Sequence, residues 1–208
     1  MVENNKKVKK LKKFYIKLLF KVRTLDIKPI LEEYLKDCKK IAIMGIGNTM
    51  KGDDGFGVLL IENLVKHYKN KYNLDLNNEV NNIRDKIILL NCGVVPENFT
   101  DVLKQEKPDK ILIIDAALMG KSPGTLNIVN SEDISEIGFS THSLPMSVIV
   151  KYLSYYIDTE ILIIGIEPEQ IDFGKSLSKK IYEKNLKFTE MLINLLDSFL
   201  KMKIMRNN

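Results

Sequence analysis

The stretch KIAIMGIGNTMKGDDGFGVLLIENLVKHYKN, residues 40–70, decides the fold. It opens on a short run that is apolar throughout, passes through a loop holding five glycines and two adjacent aspartates, and continues into an apolar-periodic segment. Val58, Ile61, Leu64 and Val65 recur at helical spacing and predict one buried helix face. Strand, glycine loop and helix in this order open a parallel α/β unit. The loop itself does not suit a nucleotide. After Gly45 and Gly47, Met50 stands where a dinucleotide fingerprint places its third glycine, and Lys51-Gly52-Asp53 is no phosphate loop. A phosphate at the helix start would also face Asp53 and Asp54, an electrostatic penalty. One of these aspartates is expected to cap the helix.

Outward from this unit the same alternation repeats. IILLNCG (87–93), DKILIIDAA (109–117) and EILIIGIEP (160–168) read as further strands, and GKSPGTLNIV (120–129) as a turn with a short strand. PENFTDVLKQ, SLPMSVIVKYLSYY and the closing SLSKKIYEKNLKFTEMLINLLDSFLKM read as helices, with Pro96 in a first turn. Residues 70–86 are polar and Asn-rich and read as a loop. Apolar strands alternating with helices predict an α/β fold with a mainly parallel sheet covered on both faces.

Charge divides the chain. Of the net +5, residues 1–40 hold +8, so the remainder is −3. The acidic body does not suit nucleic acid. Residues 1–38 are therefore read as a basic helical extension, and 39–208 as the α/β domain. In the extension, Leu11, Phe14, Tyr15, Leu18, Leu19 and Val22 form one apolar stripe among lysines, Pro29 interrupts, and ILEEYLKD makes a second short helix. Three fates are open to it: packing on the body or a partner, lying on an anionic membrane surface, or being a loosely ordered or misassigned start. No apolar run approaches the ~20 residues that cross a bilayer. Cys38 and Cys92 fit neither a disulfide framework nor zinc spacing, so two reduced thiols and a cytoplasmic location are expected.

Three side chains stand out for chemistry. Asp54 lies in the glycine loop, Asp115 ends the apolar strand ILIID, and His142 sits before a helix in STHSLP. Carboxylates at strand carboxyl ends lie where open α/β sheets place their sites. Asp, Asp and His suit a borderline divalent metal or the acid–base work of a hydrolase. His67, on the polar side of its helix, reads as surface, and Cys92 as core.

With these residues, the blocks GIGNTMKGDDGFG, CGVVPENFT, LIIDAALMGKSPG, THSLPM and GIEP occur in order. Over about residues 40–200 the chain resembles the hydrogenase maturation endopeptidases. PENFT, THSLP and the double aspartate are closest to the branch serving formate-hydrogenlyase-type and energy-converting [NiFe] hydrogenases; a sister branch serves deazaflavin-reducing hydrogenases. The resemblance implies a doubly wound fold, a three-layer α/β/α sandwich around a mostly parallel, twisted sheet of phosphorylase/hydrolase-like type. It also implies a protease that removes a C-terminal tail from the hydrogenase large-subunit precursor once nickel is in place. It assigns metal contacts to Asp54, Asp115 and His142, which are thereby the candidate catalytic residues. Either a metal they hold polarises the scissile carbonyl, or Asp54 or Asp115 acts as base and nickel serves only for docking, the nickel arriving with the precursor or another divalent metal serving. Gly45, Gly47, Asn48, Gly52, Asp53 and Gly55 are expected to line the approach of the precursor tail, and Glu97, Asn98, Glu167 and Pro168 to shape the crevice. The rival readings are a non-catalytic nickel-dependent docking or chaperone factor, and a membrane-peripheral scaffold acting through the extension.

Overall fold

In a computed structural model of the chain, residues 26–76, 79–129, 138–139 and 145–204 are described. His142 and residues 1–25, with the apolar stripe of the extension, lie outside them. Seven strands form one sheet: β1 (Ile41–Ile46), β2 (Val80–Ile83), β3 (Ile87–Gly93), β4 (Lys110–Leu118), β5 (Leu126–Val129), β6 (Gly138–Phe139) and β7 (Glu160–Ile166). Their order is β2-β3-β1-β4-β7-β5, with β6 paired to the far end of β4. The inner four, β3, β1, β4 and β7, are mutually parallel; β2, β5 and β6 are antiparallel additions. The expected mostly parallel α/β/α sandwich is the fold found.

The helices are α1 (Ile27–Leu35), α2 (Phe56–Tyr72), α3 (Thr100–Glu106), α4 (Met146–Tyr156) and α5 (Lys179–Ile204). Strict alternation along the inner strands sorts the layers. Ile41, Ile43, Leu89, Leu112, Ile114 and Ile164 pack with α1, α2 and α5. Ala42, Met44, Leu90, Ile111, Ile113 and Ile163 pack on the other face with Leu103 of α3 and Ile149 and Leu153 of α4. Both faces of the parallel strands are thus covered, which is why they are apolar throughout. The chain leaves β1 through α2 toward β3, then returns across the sheet through α3 to β4 on the other side of β1. The crevice between β1 and β4 is therefore the topological switch point.

Three expectations change. The division placed at residue 38 runs through packed structure: Ile27, Leu31, Tyr34, Leu35 and Cys38 all belong to the core. Asp26 caps α1, its carboxylate accepting the Lys28 N–H, and Pro29 sits in the first turn, where no N–H is missed. The Tyr34 hydroxyl donates to the carbonyls of Ile111 and Glu160, fastening α1 to the starts of β4 and β7. Residues 70–86 are not all loop. The polar Asn81 is 3% exposed beside Ile83 at 0%, and the hairpin to β3 turns through Arg84 and Asp85, both at φ 53. That geometry is usually announced by Asn-Gly, so the hairpin carries no ordinary signal. Finally, neither aspartate of the glycine loop caps α2, because Gly55 occupies that position.

Among the described residues, no helix is long and apolar enough to cross a membrane. Cys38 and Cys92 form no disulfide; both are buried, in the cores on opposite faces of the sheet, so they cannot pair with each other. Burial, with Glu79 and Asp115 nearby, pushes the Cys92 thiol well up. Less thiolate means less nucleophile. The native chain should leave both thiols unmodified by iodoacetamide at pH 8 over the time in which the urea-unfolded chain takes up two equivalents, as read by intact mass.

Candidate functional site

Between β1 and α2 the chain makes one tight turn, Gly52–Gly55, which lies directly against β4. It is packed this closely because side chains are missing where backbones meet. A Cβ on Gly45 would lie 2.2 Å from the Gly57 carbonyl oxygen, and one on Gly47 would lie 1.7 Å from that of Asp54. Gly47 also holds φ +139, and Gly52 holds φ +55 with the Gln170 carbonyl 2.8 Å from its would-be Cβ. Gly55 faces Thr49 and Leu177. Gly45, Gly47, Gly52 and Gly55 are buried and make room for the chain's own atoms.

This packing fixes Asp54. Its side chain is fully buried, and its Oδ2 accepts the Asn48 N–H at 2.8 Å. Asn48 in turn folds its Oδ1 back onto the Met50 N–H at 2.9 Å. Asn48 thus orients the carboxylate through its backbone while its side chain closes the turn.

Asp115 comes to the same place from β4. The last β1–β4 partners are Gly45 and Ile114. Asp115 is one step further, just past the end of the β1–β4 pairing, and it remains paired with Gly165 of β7. It does not end its strand, since β4 continues to Leu118 by gaining β6 as a partner. Alternation puts it on the face of Ile111 and Ile113, and it is fully buried. Across β1, Cys92 feels its charge. The thiol itself is core, 2% exposed, with Sγ donating to the Leu90 carbonyl. Two buried carboxylates 61 residues apart in the chain (115 − 54) therefore meet the carboxyl edge of β1 and β4.

Asp53 does something different from its neighbour. It is fully buried, and its Oδ2 accepts the N–H groups of Glu169 (2.8 Å) and Gln170 (2.9 Å) and the Ser178 hydroxyl (3.0 Å). Its Oδ1 accepts the Ser178 N–H at 2.6 Å. With four donors on it, Asp53 is a clamp between the turn after β1 and the segment after β7. Nothing in local periodicity marks Ser178, 125 residues away. Glu167 works similarly. It is 6% exposed, and its Oε2 accepts the N–H groups of Met119 and Lys121, tying the ends of β7 and β4. Glu97 is half-buried and Asn98 exposed, in the turn Pro96–Phe99 that follows β3.

Among the described residues, no three His, Cys, Asp or Glu side chains gather as a metal group. The third member of the expected trio, His142, lies outside them. His67 is partly exposed on α2, 3.9 Å from Asp197 and remote from the crevice.

The fold and the site define a doubly wound α/β protein whose switch point presents carboxylates held by backbone N–H groups. Residues 58–195 match the family model HycI, hydrogenase maturation protease. A Methanocaldococcus jannaschii protein described as a hydrogenase maturation protease is 42% identical over 171 residues, 82% of this chain and 96% of the relative. The hydrogenase 3 maturation protease of Escherichia coli K12 is 29% identical over 140 residues, 67% of this chain and 80% of the relative. The crystal structure of the [NiFe] hydrogenase maturation protease HycI from Thermococcus kodakarensis aligns with TM-score 0.67 and 28% identity over 81% of this chain and 99% of that one. This chain belongs to the hydrogenase maturation protease family.

Proposed function

We propose that the chain is the endopeptidase that removes the C-terminal tail from the nickel-loaded precursor of a [NiFe] hydrogenase large subunit. The observation that carries this reading is the pair Asp54 and Asp115, two fully buried carboxylates brought to one switch-point crevice. Burying carboxylates is costly, and a turn packed this tightly to hold one of them suggests use.

Peptide hydrolysis needs a water made nucleophilic and a proton returned to the leaving nitrogen. In this proposal a carboxylate of the pair takes the proton as the water oxygen attacks the scissile carbonyl. The tetrahedral intermediate then collapses, the C–N bond breaks, and the same proton goes to the departing amine. The products are a new C-terminal carboxylate on the large subunit and a free tail peptide. Asp54, Asp115 and His142 would engage the nickel already seated in the precursor and so select nickel-loaded substrate. Two hard carboxylates and one imidazole, without thiolate, make a weak standing nickel site. That suits a metal delivered with the substrate.

The test is an intact-mass measurement. The full chain is incubated with precursor loaded with nickel, and separately with nickel-free precursor. Loss of the tail mass from the loaded precursor alone is the expected result. A loaded precursor that binds the chain and keeps its full mass would instead make this a nickel-dependent docking or chaperone factor.

A further inference from the structure

Immediately beside Asp54, the turn residues Met50–Asp53 and the segment Gln170–Ser178 are laced into one unit. The Gly174 N–H donates to the Met50 carbonyl (2.7 Å), the Gly52 N–H to that of Lys175 (2.9 Å), and the Asp53 N–H to that of Gln170 (2.9 Å). The Asp53 carboxylate adds its four acceptor bonds from below. On this unit, large apolar side chains face water: Phe173 is 68% exposed, Met50 57% and Ile171 37%. Single exposed apolar residues are ordinary on a protein surface. Three on two cross-linked loops, next to a candidate catalytic carboxylate, are a concentrated apolar surface, and such surfaces mark contact sites.

We infer that Met50, Ile171 and Phe173 form the docking rim for the large-subunit precursor, an apolar centre against which the substrate protein seats before its tail reaches Asp54. This rests on the protease reading above. Position argues for that occupant. Met50 is four residues from Asp54, and the Asp54 N–H is itself bonded to the Lys51 carbonyl in the same turn. The rim and Asp54 thus belong to one hydrogen-bonded unit. The border argues for a protein rather than a lipid surface. Glu169, Asp172 and Lys175 around the apolar residues are all exposed and of both signs, the pattern of an apolar interface core with a polar periphery. An anionic membrane would call for uniformly basic neighbours. Rigidity adds to the case, because the backbone bonds hold the rim in place before binding and reduce the ordering cost of association.

The test combines binding with turnover in the full chain. Phe173→Ser with Met50→Ser is expected to fold normally, since both side chains are largely outside the core. The double variant should raise KM for nickel-loaded precursor at least about tenfold, the loss usual for central interface residues, with a smaller change in kcat. In an Asp54→Asn background, Kd for the precursor should rise by the same factor. Tyr155→Ser, at an 83% exposed site on α4, is the control and should move neither. If the parent chain trims and the double variant matches it in KM and Kd, the docking rim is overturned while the protease reading stands. If the parent binds without trimming and the double variant loses binding, the rim stands and the protease reading falls. A parent that neither binds nor trims overturns both.

Discussion

Replacing Asp54 by Asn is expected to leave a folded protein that no longer shortens the precursor. The substitution keeps volume and keeps an amide oxygen that can accept the Asn48 N–H, so the turn Gly52–Gly55 retains its closing bond. What is lost is the negative charge and the capacity to take a proton. A positioned general base contributes on the order of 10²–10⁴ in rate, so trimming should fall about a thousandfold. Asp115→Asn should behave alike, since its backbone pairing with Gly165 is unaffected by the change. Thermal unfolding should show both variants as stable as the parent or slightly more so, because a buried carboxylate kept for chemistry is a stability cost. Precursor intact mass against time measures the rate, and circular dichroism checks the fold. Parental trimming by both variants would remove the carboxylates from the mechanism.

How much of this was legible in the sequence follows from where the information is local. The inner strands are apolar on both faces, so β1, β3, β4 and β7 are plain from composition, and α2 and α5 from their apolar periodicity. Asp54 and Asp115 are legible because each stands against a local pattern: a carboxylate inside a glycine loop, another inside an apolar strand. β2 was hidden because Asn81 takes a buried position and the turn uses Arg84-Asp85. The packing of residues 27–38 into the core was hidden behind the lysines that precede them, since net charge over a window says nothing of which face is buried. The glycines showed that backbones approach closely, but not which ones. The partners proved to be Gly57, Asp54 and Gln170 of the same chain. Asp53 and Asp54 are adjacent and chemically identical, and only the tertiary donors on Asp53 separate clamp from candidate catalyst.

That separation gives the other large effect. Asp53→Ala removes the acceptor from the N–H groups of Glu169, Gln170 and Ser178 and from the Ser178 hydroxyl at once. Alanine offers nothing in exchange, and the clamp is fully buried. Hydrogen bonds to a charged group contribute about 1.5–3 kcal/mol each, and unsatisfied buried donors carry a similar cost. Water will reach part of the opened segment, so the loss of unfolding free energy should be about 3–5 kcal/mol rather than the sum. Urea unfolding followed by circular dichroism measures it. Asp53→Asn keeps one acceptor oxygen but turns an NH₂ donor toward backbone donors, so it should lose about half as much. Ser178→Ala removes a single bond and should cost about 1 kcal/mol. The order Ala, Asn, Ser178→Ala is what a clamp requires. Asp54→Asn must show the opposite profile, with activity gone and stability kept. If Asp53→Ala unfolds within 1 kcal/mol of the parent, by the same scale of bond energies, the segment after β7 is held by something other than Asp53. The rigid rim inferred beside the site would then lose its anchor as well.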